Sequence, residues 1–502
     1  MNKKIAFAGV DIGTTGARCC IFDGNGVLLS TAKRNYRMIQ PKIGWVEQNP
    51  DEIVSAVYTS MSEALSQLKG GYEIEAIGLS SIFHSIMLVD SEMKKLTNLI
   101  IWGDNRSTEL LKRYAKAFDH LYDLTGCPLH VNYPLSKLVW FRHEAPDLLE
   151  KASKIVMIKE YILWNLSKVN AIDISVASGS GLLNIREKTW EKSIFDELKI
   201  SMNKLSPAVS PLTVIGKMVS ESSFQTGFKE GTPIVIGGGD GALSSLGSGS
   251  IARGVMAAML GTSGAVRMAV NKPLTDKRRR TWCYILDDET WIVGCAINNA
   301  GLVMAWYLDN FYPELKGEED PYREMERWAS DVEAGSSGLL FLPFLTGERC
   351  PFWNANARGV LFGLALHHDR RHVSRAIIEG VAFRMKSIYE AVSEVAEVPK
   401  EIRGTGGLMR FSLWAKVLSS VLGRPISRVN IEEASSFGAA IMAMRGVGYI
   451  SSYSEILNKA LEIVDEIVPE SSWFDLYNKL YELYKRLYWK LQEEFDEICT
   501  FQ

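Results

Sequence analysis

Asp11-Ile12-Gly13-Thr14-Thr15-Gly16 sets a carboxylate at the end of an apolar run and a glycine–threonine turn directly behind it. Glycines in such a turn let backbone N–H groups approach a phosphate, and the hydroxyls add donors. The aspartate is of the type that holds Mg2+, directly or through water. A plain β-hairpin would also account for the hexapeptide alone. A second copy stands about 250 residues further on, where GTSGAVR at 261–267 matches GTTGAR at 13–18. Two such loops, with Thr14 and Thr15 in one and Gly261 and Thr262 in the other, are expected to clamp a nucleotide triphosphate from both sides. Neither a Walker A sequence nor the glycine loop of protein kinases is present.

Gly237-Gly238-Gly239-Asp240-Gly241 is the second constellation. Its glycines leave room for a ligand at a strand end and present Asp240 into that space. A kinase acting on a hydroxyl needs such a carboxylate to orient the alcohol and accept its proton as the P–O bond forms. The competing role is that of a turn aspartate at the start of a helix near residue 241. Trp102-Gly103-Asp104-Asn105-Arg106, with Ser81-Ile82-Phe83-His84 upstream, has the composition of a polyol site. An aromatic ring covers C–H faces, and Asp104, Arg106 and His84 bond hydroxyls. Were the substrate to carry a carboxylate, Arg106 would meet it with its guanidinium fork and His84 would donate a hydrogen bond. Arg403-Gly404-Thr405-Gly406-Gly407 ends a strand before a helix, a place for a nucleoside or for a packing turn.

The elements that must position these residues are legible from pattern. Residues 4–11, 17–22 and 27–32 read as strands, the last two joined by the turn Asp23-Gly24-Asn25-Gly26. A helix opens at Asn49 with Pro50 first and Asp51 and Glu52 in its first turn. Strand 74–80 follows. In the second half, 233–239 and 255–261 read as strands, and 370–395 and 411–422 as helices. Leu476, Leu480, Leu483, Leu487 and Leu491 recur at helical spacing. They suit a coiled-coil seam or, preferentially, a helix packed on its own domain.

Composition bounds the partners. The 502 residues are too many for one ordinary core, and 47% hydrophobic with 23% charged residues is the balance of a folded protein. A net charge of −3 gives no reason to expect nucleic acid. Seven scattered cysteines without a C-x-x-C pair point to reduced thiols and a cytoplasmic setting. The start, Met1-Asn2-Lys3-Lys4 and an apolar run that stops at Asp11, does not make a signal peptide, and no segment has the length of a membrane span. A small soluble substrate is the expected partner, and a homodimer is compatible with this composition.

Taken in order, these segments resemble the FGGY carbohydrate kinases, relatives of the actin–hexokinase ATPases, over roughly residues 5–450. DIGTTGAR is similar to the family's first phosphate loop and PKIGWVEQNP (41–50) to its GW-x-EQ stretch. GGGDGA carries its catalytic aspartate, GTSG its second loop, PFLTGERCPFWNANARG (343–359) its GER segment, and GTGG with the next helix its adenosine signature. Within the family, SSIFHS (80–85), IWGDNRS (101–107), TGCPLHVNYPLSKLVW (125–140) and INNAGLVMAW (297–306) are most similar to gluconate kinases. Xylulokinases usually carry Met-His-Gly where Phe83-His84-Ser85 stands here.

The resemblance implies an α/β fold of two ribonuclease-H-like domains, about 1–250 and 251–450, with the active site in the cleft between them and a helical tail over 451–502. It implies transfer of phosphate from ATP to D-gluconate, with Asp240 as the base and Asp11 organising Mg2+. Thr14, Thr15, Arg18, Gly261 and Thr262 would hold phosphates, and Gly301, Gly406, Gly407 and Phe411 would lie near the nucleotide. A kinase for xylulose, ribulose or another polyol is the first alternative, and a non-catalytic ATP-binding module of the actin-like fold the second.

Overall fold

The turn at Asp23–Gly26 joins two strands as its residues require. The Asp23 carboxylate accepts from the Asn25 and Val27 amides, both at 2.9 Å, which fixes the reversal. In the computed structural model, which describes residues 4–315 and 320–501, β1 (Lys4–Ile12), β2 (Gly16–Asp23) and β3 (Leu28–Asn35) form an antiparallel meander. Met1–Lys3, part of the segment weighed as a signal peptide, lie outside the described residues. Helix α1 (Pro50–Gln67) begins where expected, the Asn49 side chain accepting from the Asp51 amide. β4 (Tyr72–Ser81) then returns parallel to β1. After a long excursion of small helices, β5 (Val214–Lys217) and β6 (Pro233–Gly239) complete a sheet of order β5-β6-β4-β1-β2-β3.

A second sheet repeats the plan. Its strands are β7 (Val255–Leu260), β8 (Gly264–Val270), β9 (Trp282–Ile285), β10 (Trp291–Ile297), β11 (Glu401–Thr405), β12 (Ile426–Val429) and β13 (Ile463–Ile467), in the order β9-β10-β8-β7-β11-β12-β13. The first sheet has three antiparallel strands and the second four, β9 being added outside β10; in each, two strands parallel to the first strand and then an antiparallel edge strand follow across the sheet. The duplication expected from the two loops is thus a duplication of sheet topology.

Two corrections follow. The segment 451–502, expected as a helical tail, supplies β13, the edge strand of the second sheet. Its helix α7 (Phe474–Lys490) packs on its own domain, yet its buried face is built from Tyr477, Tyr481, Tyr484 and Tyr488 more than from the leucine series. Two of these hydroxyls are satisfied by carboxylates, Tyr477 donating to Glu379 at 2.9 Å and Tyr481 to Glu390 at 2.8 Å, whereas that of Tyr484 is buried without a partner.

Helix α2 (Asp240–Gly247) leaves the end of β6, and α6 (Ala434–Gly446), from the second half of the chain, packs across it and onto β1 and β4 of the first sheet. Glycine permits this crossing. A Cβ at Gly247 would stand 1.9 Å from the Ala434 carbonyl oxygen, and one at Gly438 2.1 Å from that of Leu243. No described helix is long and apolar enough to cross a membrane.

Candidate active site

Asp240 sits where β6 becomes α2. The end of β6 is held by Lys159, whose buried Nζ donates to the carbonyls of Leu79 (3.0 Å), Ile236 (2.9 Å) and Gly238 (3.0 Å) and lies 3.3 Å from Asp173. One buried cation thereby ties the ends of β4 and β6 together and fixes the direction in which Asp240 leaves. The Asp240 carboxylate accepts from the Gly241 amide at 2.7 Å and lines the cleft cavity. Burial, and then the nearby Asp11 carboxylate, push its pKa up to about 7, against the pull of Arg267 and of the Gly241 amide. A carboxylate so placed is poised to gain or lose a proton near neutrality.

Asp11 ends β1 and accepts from the Ser80 hydroxyl at 2.6 Å. Burial raises its pKa as well. Neither Asp11 nor Asp240 has a direct ion-pair partner among the described residues, and Asp11 is near enough to raise the pKa of Asp240. No group of three or more His, Cys, Asp or Glu side chains among the described residues could hold a metal ion by itself. A site with few protein carboxylates fits Mg2+, which keeps several waters and takes its other oxygens from phosphate.

The two glycine–hydroxyl loops flank this point. Thr14 is tied by its carbonyl, which accepts from Gln48 at 2.7 Å, and by its hydroxyl, which accepts from the Trp102 indole at 3.2 Å. Thr15 is exposed. In the second loop, the Gly261 carbonyl accepts from Gly301 at 2.8 Å and that of Thr262 from Leu302 at 3.0 Å, which seats the loop on the start of helix α3 (Gly301–Phe311). A Cβ at Gly301 would stand 2.7 Å from the Gly261 carbonyl oxygen, so this seat requires glycine. Gly406 takes φ +94° with the Leu260 carbonyl 2.5 Å from where a Cβ would be, whereas Gly407 faces open space. Phe411 departs from expectation: it is 4% exposed and packed in the core beside Tyr322, so its ring is not offered to a nucleotide. Arg18 departs too, since it forms an ion pair with Glu433 at the start of α6.

His84 and Trp102 do line the cavity with Thr14 and Asp240. His84 Nδ1 lies 2.6 Å from the Gly179 carbonyl, which can only accept, so that nitrogen carries the proton. Burial pushes the His84 pKa down to about 3. A neutral ring with Nδ1–H committed offers Nε2 as an acceptor. The expectation that His84 donates to a substrate carboxylate is therefore corrected: it can accept from a substrate hydroxyl.

Asp104 and Arg106 were expected in the same pocket and are not there. The Arg106 guanidinium reaches Asp104 at 2.8 Å and Glu47 at 2.6 Å, and lies 3.8 Å above the Trp45 ring and 5.0 Å from that of Trp140. Asp104 also accepts from the Val46 amide at 2.7 Å. This buried group clasps residues 45–47 to the strand end at 101–106, and the Nε and Nη2 donors of Arg106 are spent there. It supports the pocket from behind, since Gln48 next door holds Thr14.

The remaining walls come from residues that motif reading passed over. Asn132 donates to the Trp102 carbonyl at 3.0 Å. Tyr133 and Tyr284 share a hydroxyl contact at 3.1 Å, and Trp282 stacks on Tyr284 with centroids 4.2 Å apart. Arg349 lies 5.5 Å above the Trp102 ring, oriented by Glu348, whose carboxylate accepts from the Arg349 amide at 2.9 Å and lies 3.4 Å from Arg384. Arg267 enters from β8. The signals for both arginines stood within the quoted segments, as the last residue of GTSGAVR and the arginine of GER. Together the walls enclose a cavity of about 180 Å³ with aromatic sides, one carboxylate and two guanidiniums, the dimensions and chemistry of a site for one small polar molecule.

Two duplicated α/β domains, each carrying a glycine–hydroxyl loop, with an aspartate between them at a polyol-sized cavity, define a sugar phosphotransferase of the actin–hexokinase type. Comparison with known proteins agrees. Residues 6–247 match the N-terminal domain and residues 256–447 the C-terminal domain of the FGGY family of carbohydrate kinases. A gluconokinase of Bacillus licheniformis is 33% identical over 98% of both chains. The crystal structure of a gluconate kinase from Lactobacillus acidophilus superposes with a TM-score of 0.92 at 29% identity, covering 99% of this chain and 100% of that one. A ligand-bound xylulose kinase from the same organism gives the same TM-score and identity over 98% of this chain and 100% of that one. The chain belongs to the FGGY family of carbohydrate kinases.

Proposed function

We propose that this kinase phosphorylates D-gluconate with ATP, giving ADP and 6-phospho-D-gluconate. The observation that carries the reading is Asp240, aimed into a small cavity between the two loops with a pKa of about 7. Asp240 takes the proton of the 6-hydroxyl as that oxygen bonds to the γ-phosphorus and the bond to the β-phosphate oxygen breaks. Thr14, Thr15, Gly261 and Thr262 hold the triphosphate. Gly301, Gly406 and Gly407 leave backbone space for the nucleoside. Asp11, with Asp240 opposite, would hold Mg2+, which neutralises phosphate charge. Trp102 covers the C–H face of the chain, and the acceptor nitrogen of His84 takes a hydroxyl. Closure of the two domains would exclude water and limit idle ATP hydrolysis. An ATP-consuming enzyme with seven free cysteines suits the cytoplasm.

The choice of gluconate rests on the names of similar proteins and on the positive charge of the cavity. The xylulose kinase of equal structural similarity keeps a neutral ketose as the second reading. A coupled assay of ADP release over gluconate, xylulose, ribulose, glycerol and erythritol tests both. Gluconate is expected to be turned over best. Faster turnover of a neutral sugar overturns gluconate but leaves a kinase, whereas ATP consumption that stays flat across the panel favours a non-catalytic ATP-binding module.

A further inference from the structure

The cleft holds an unusual imbalance of charge. Arg267 projects from β8 into the cavity and makes no hydrogen bond or ion pair with any described residue; its Nε is buried without a partner. The guanidinium rests on the first turn of α2, where a Cβ at Gly241 would stand 3.1 Å from both Nε and Nη2. It does not reach within 4 Å of the Asp240 carboxylate, so no ion pair closes the gap between them. Arg349 stands on the same cavity, its Nε also buried and unpartnered. Two guanidiniums facing one small cavity repel each other, and the Asp240 carboxylate that acts on Arg267 makes no direct ion pair with it; a buried cation so weakly compensated is costly.

Other cations near the cleft are accounted for. Arg18 is taken by Glu433, Arg106 by Asp104 and Glu47, and Arg384 by Glu348 and the Cys350 carbonyl. Lys159 is spent on three carbonyls and Asp173, and Lys137 on the Val131 carbonyl. His84 offers an acceptor. What remains free to meet an anionic substrate group is Arg267, with Arg349 beside it.

We propose that Arg267 binds the carboxylate of the substrate and thereby sets the preference for a sugar acid over a neutral sugar. The assignment rests on the gluconate reading above and deepens it. In a hexonic acid the carboxylate and the 6-hydroxyl are at opposite ends of the chain. The group that reads the charge must then be distinct from the base and separated from it, yet stand on the same wall. Arg267 meets both conditions: it packs on the residue after Asp240 and leaves the carboxylate of Asp240 unpaired. A guanidinium fork matches a carboxylate in a bidentate way. The strand supplies the reach, because Met259, Ala265 and Arg267 of β7 and β8 all line the cavity, with Arg267 farthest from the phosphate loop.

The test compares D-gluconate with D-glucitol, which has a CH2OH group in place of the carboxylate. Dissociation constants for both are measured on the full-length enzyme by calorimetry, alongside the KM for ATP. Wild type is expected to prefer gluconate. Arg267→Gln is expected to weaken gluconate by roughly 10–150-fold, the loss of a charge-assisted hydrogen bond, and to leave glucitol and ATP unchanged. Arg267→Lys, which keeps charge and bulk but not the fork, is expected to fall between the two and serves if the glutamine variant does not fold. Equal weakening of gluconate and glucitol in both variants overturns the assignment. So does a loss of discrimination in Arg349→Gln that the Arg267 variants do not show. A wild-type enzyme that does not distinguish gluconate from glucitol refutes the sugar-acid reading itself, and with it the role of Arg267.

Discussion

The two loop-bearing hairpins are built alike and have diverged in what they bring to Asp240 between them. In the first, Asp11 at the end of β1 pairs in register with Arg18, and Arg18 is drawn off to Glu433. In the second, Met259 holds the place of Asp11 and pairs with Ala265, while Arg267 follows further along the strand, opposite Ala257. One hairpin therefore offers a carboxylate and a satisfied arginine, the other an apolar mouth and an unsatisfied arginine. Their influences on Asp240 are opposite in sign: Asp11 raises its pKa and Arg267 lowers it. Duplication supplied the frame, and divergence at these few positions would divide the labour, metal and phosphate on one side, sugar on the other.

Removing the group on which both hairpins act should have the largest effect. Asp240→Asn is expected to lower turnover by roughly 10²–10⁴-fold with nucleotide binding kept, since an amide cannot accept the alcohol's proton. Near-normal turnover of the folded variant would take Asp240 out of the mechanism. Next comes Arg106, the paired arginine behind the pocket. Arg106→Leu leaves Asp104 and Glu47 without their cation and is expected to cost about 3–5 kcal/mol of stability in urea unfolding. A fall in gluconate affinity without any loss of stability would restore Arg106 to the substrate site.

Asp11→Ala should raise the Mg2+ requirement for turnover by roughly 10–100-fold and weaken sugar binding less. Equal loss of sugar and nucleotide binding would instead make Asp11 structural. The opposed influences on Asp240 can be read in the metal-free enzyme from the melting temperature against pH. Its folded pKa of about 7 lies above the ordinary 3.8, so between these values the folded state holds a proton that the unfolded chain has released. The Asp240 contribution to stability is therefore full below pH 4 and declines until about pH 7. Asp11→Asn should shift the upper end of this decline to lower pH and Arg267→Gln to higher pH; shifts of the same sign would refute the comparison. The smallest change is expected for Arg18→Gln, a partly exposed pair worth about 1 kcal/mol or less, with no change in gluconate affinity.

The strands and helices that carry the site were legible because their signals are local. The apolar run 233–239 ends in the glycines that let β6 bulge before Asp240, and Asn49-Pro50 starts α1 where it should. The fate of a polar side chain was less legible, because its partners are remote. Nothing near Arg106 announces Glu47, which is 59 residues away, or the rings of Trp45 and Trp140. Phe411 looks available beside GTGG, yet tertiary packing buries it. The orientation of His84 depends on a carbonyl 95 residues further on. Arg267 stood in plain view within the repeat, but only the β7–β8 register shows that it does not correspond to Arg18.

Helix α6 lies against β1 and β4, although more than 350 residues separate it from the end of the first sheet's β4. The boundary between the two homologous halves is therefore not a boundary for folding. A nascent chain that has emerged through residue 250 still lacks the helix that covers one face of its first sheet, and the second sheet waits longer still for its edge strand at Ile463–Ile467. A fragment cut between the halves would expose that face to solvent. A chimera that exchanges the first half for that of a relative must carry α6 with it, or the helix and sheet will meet as strangers.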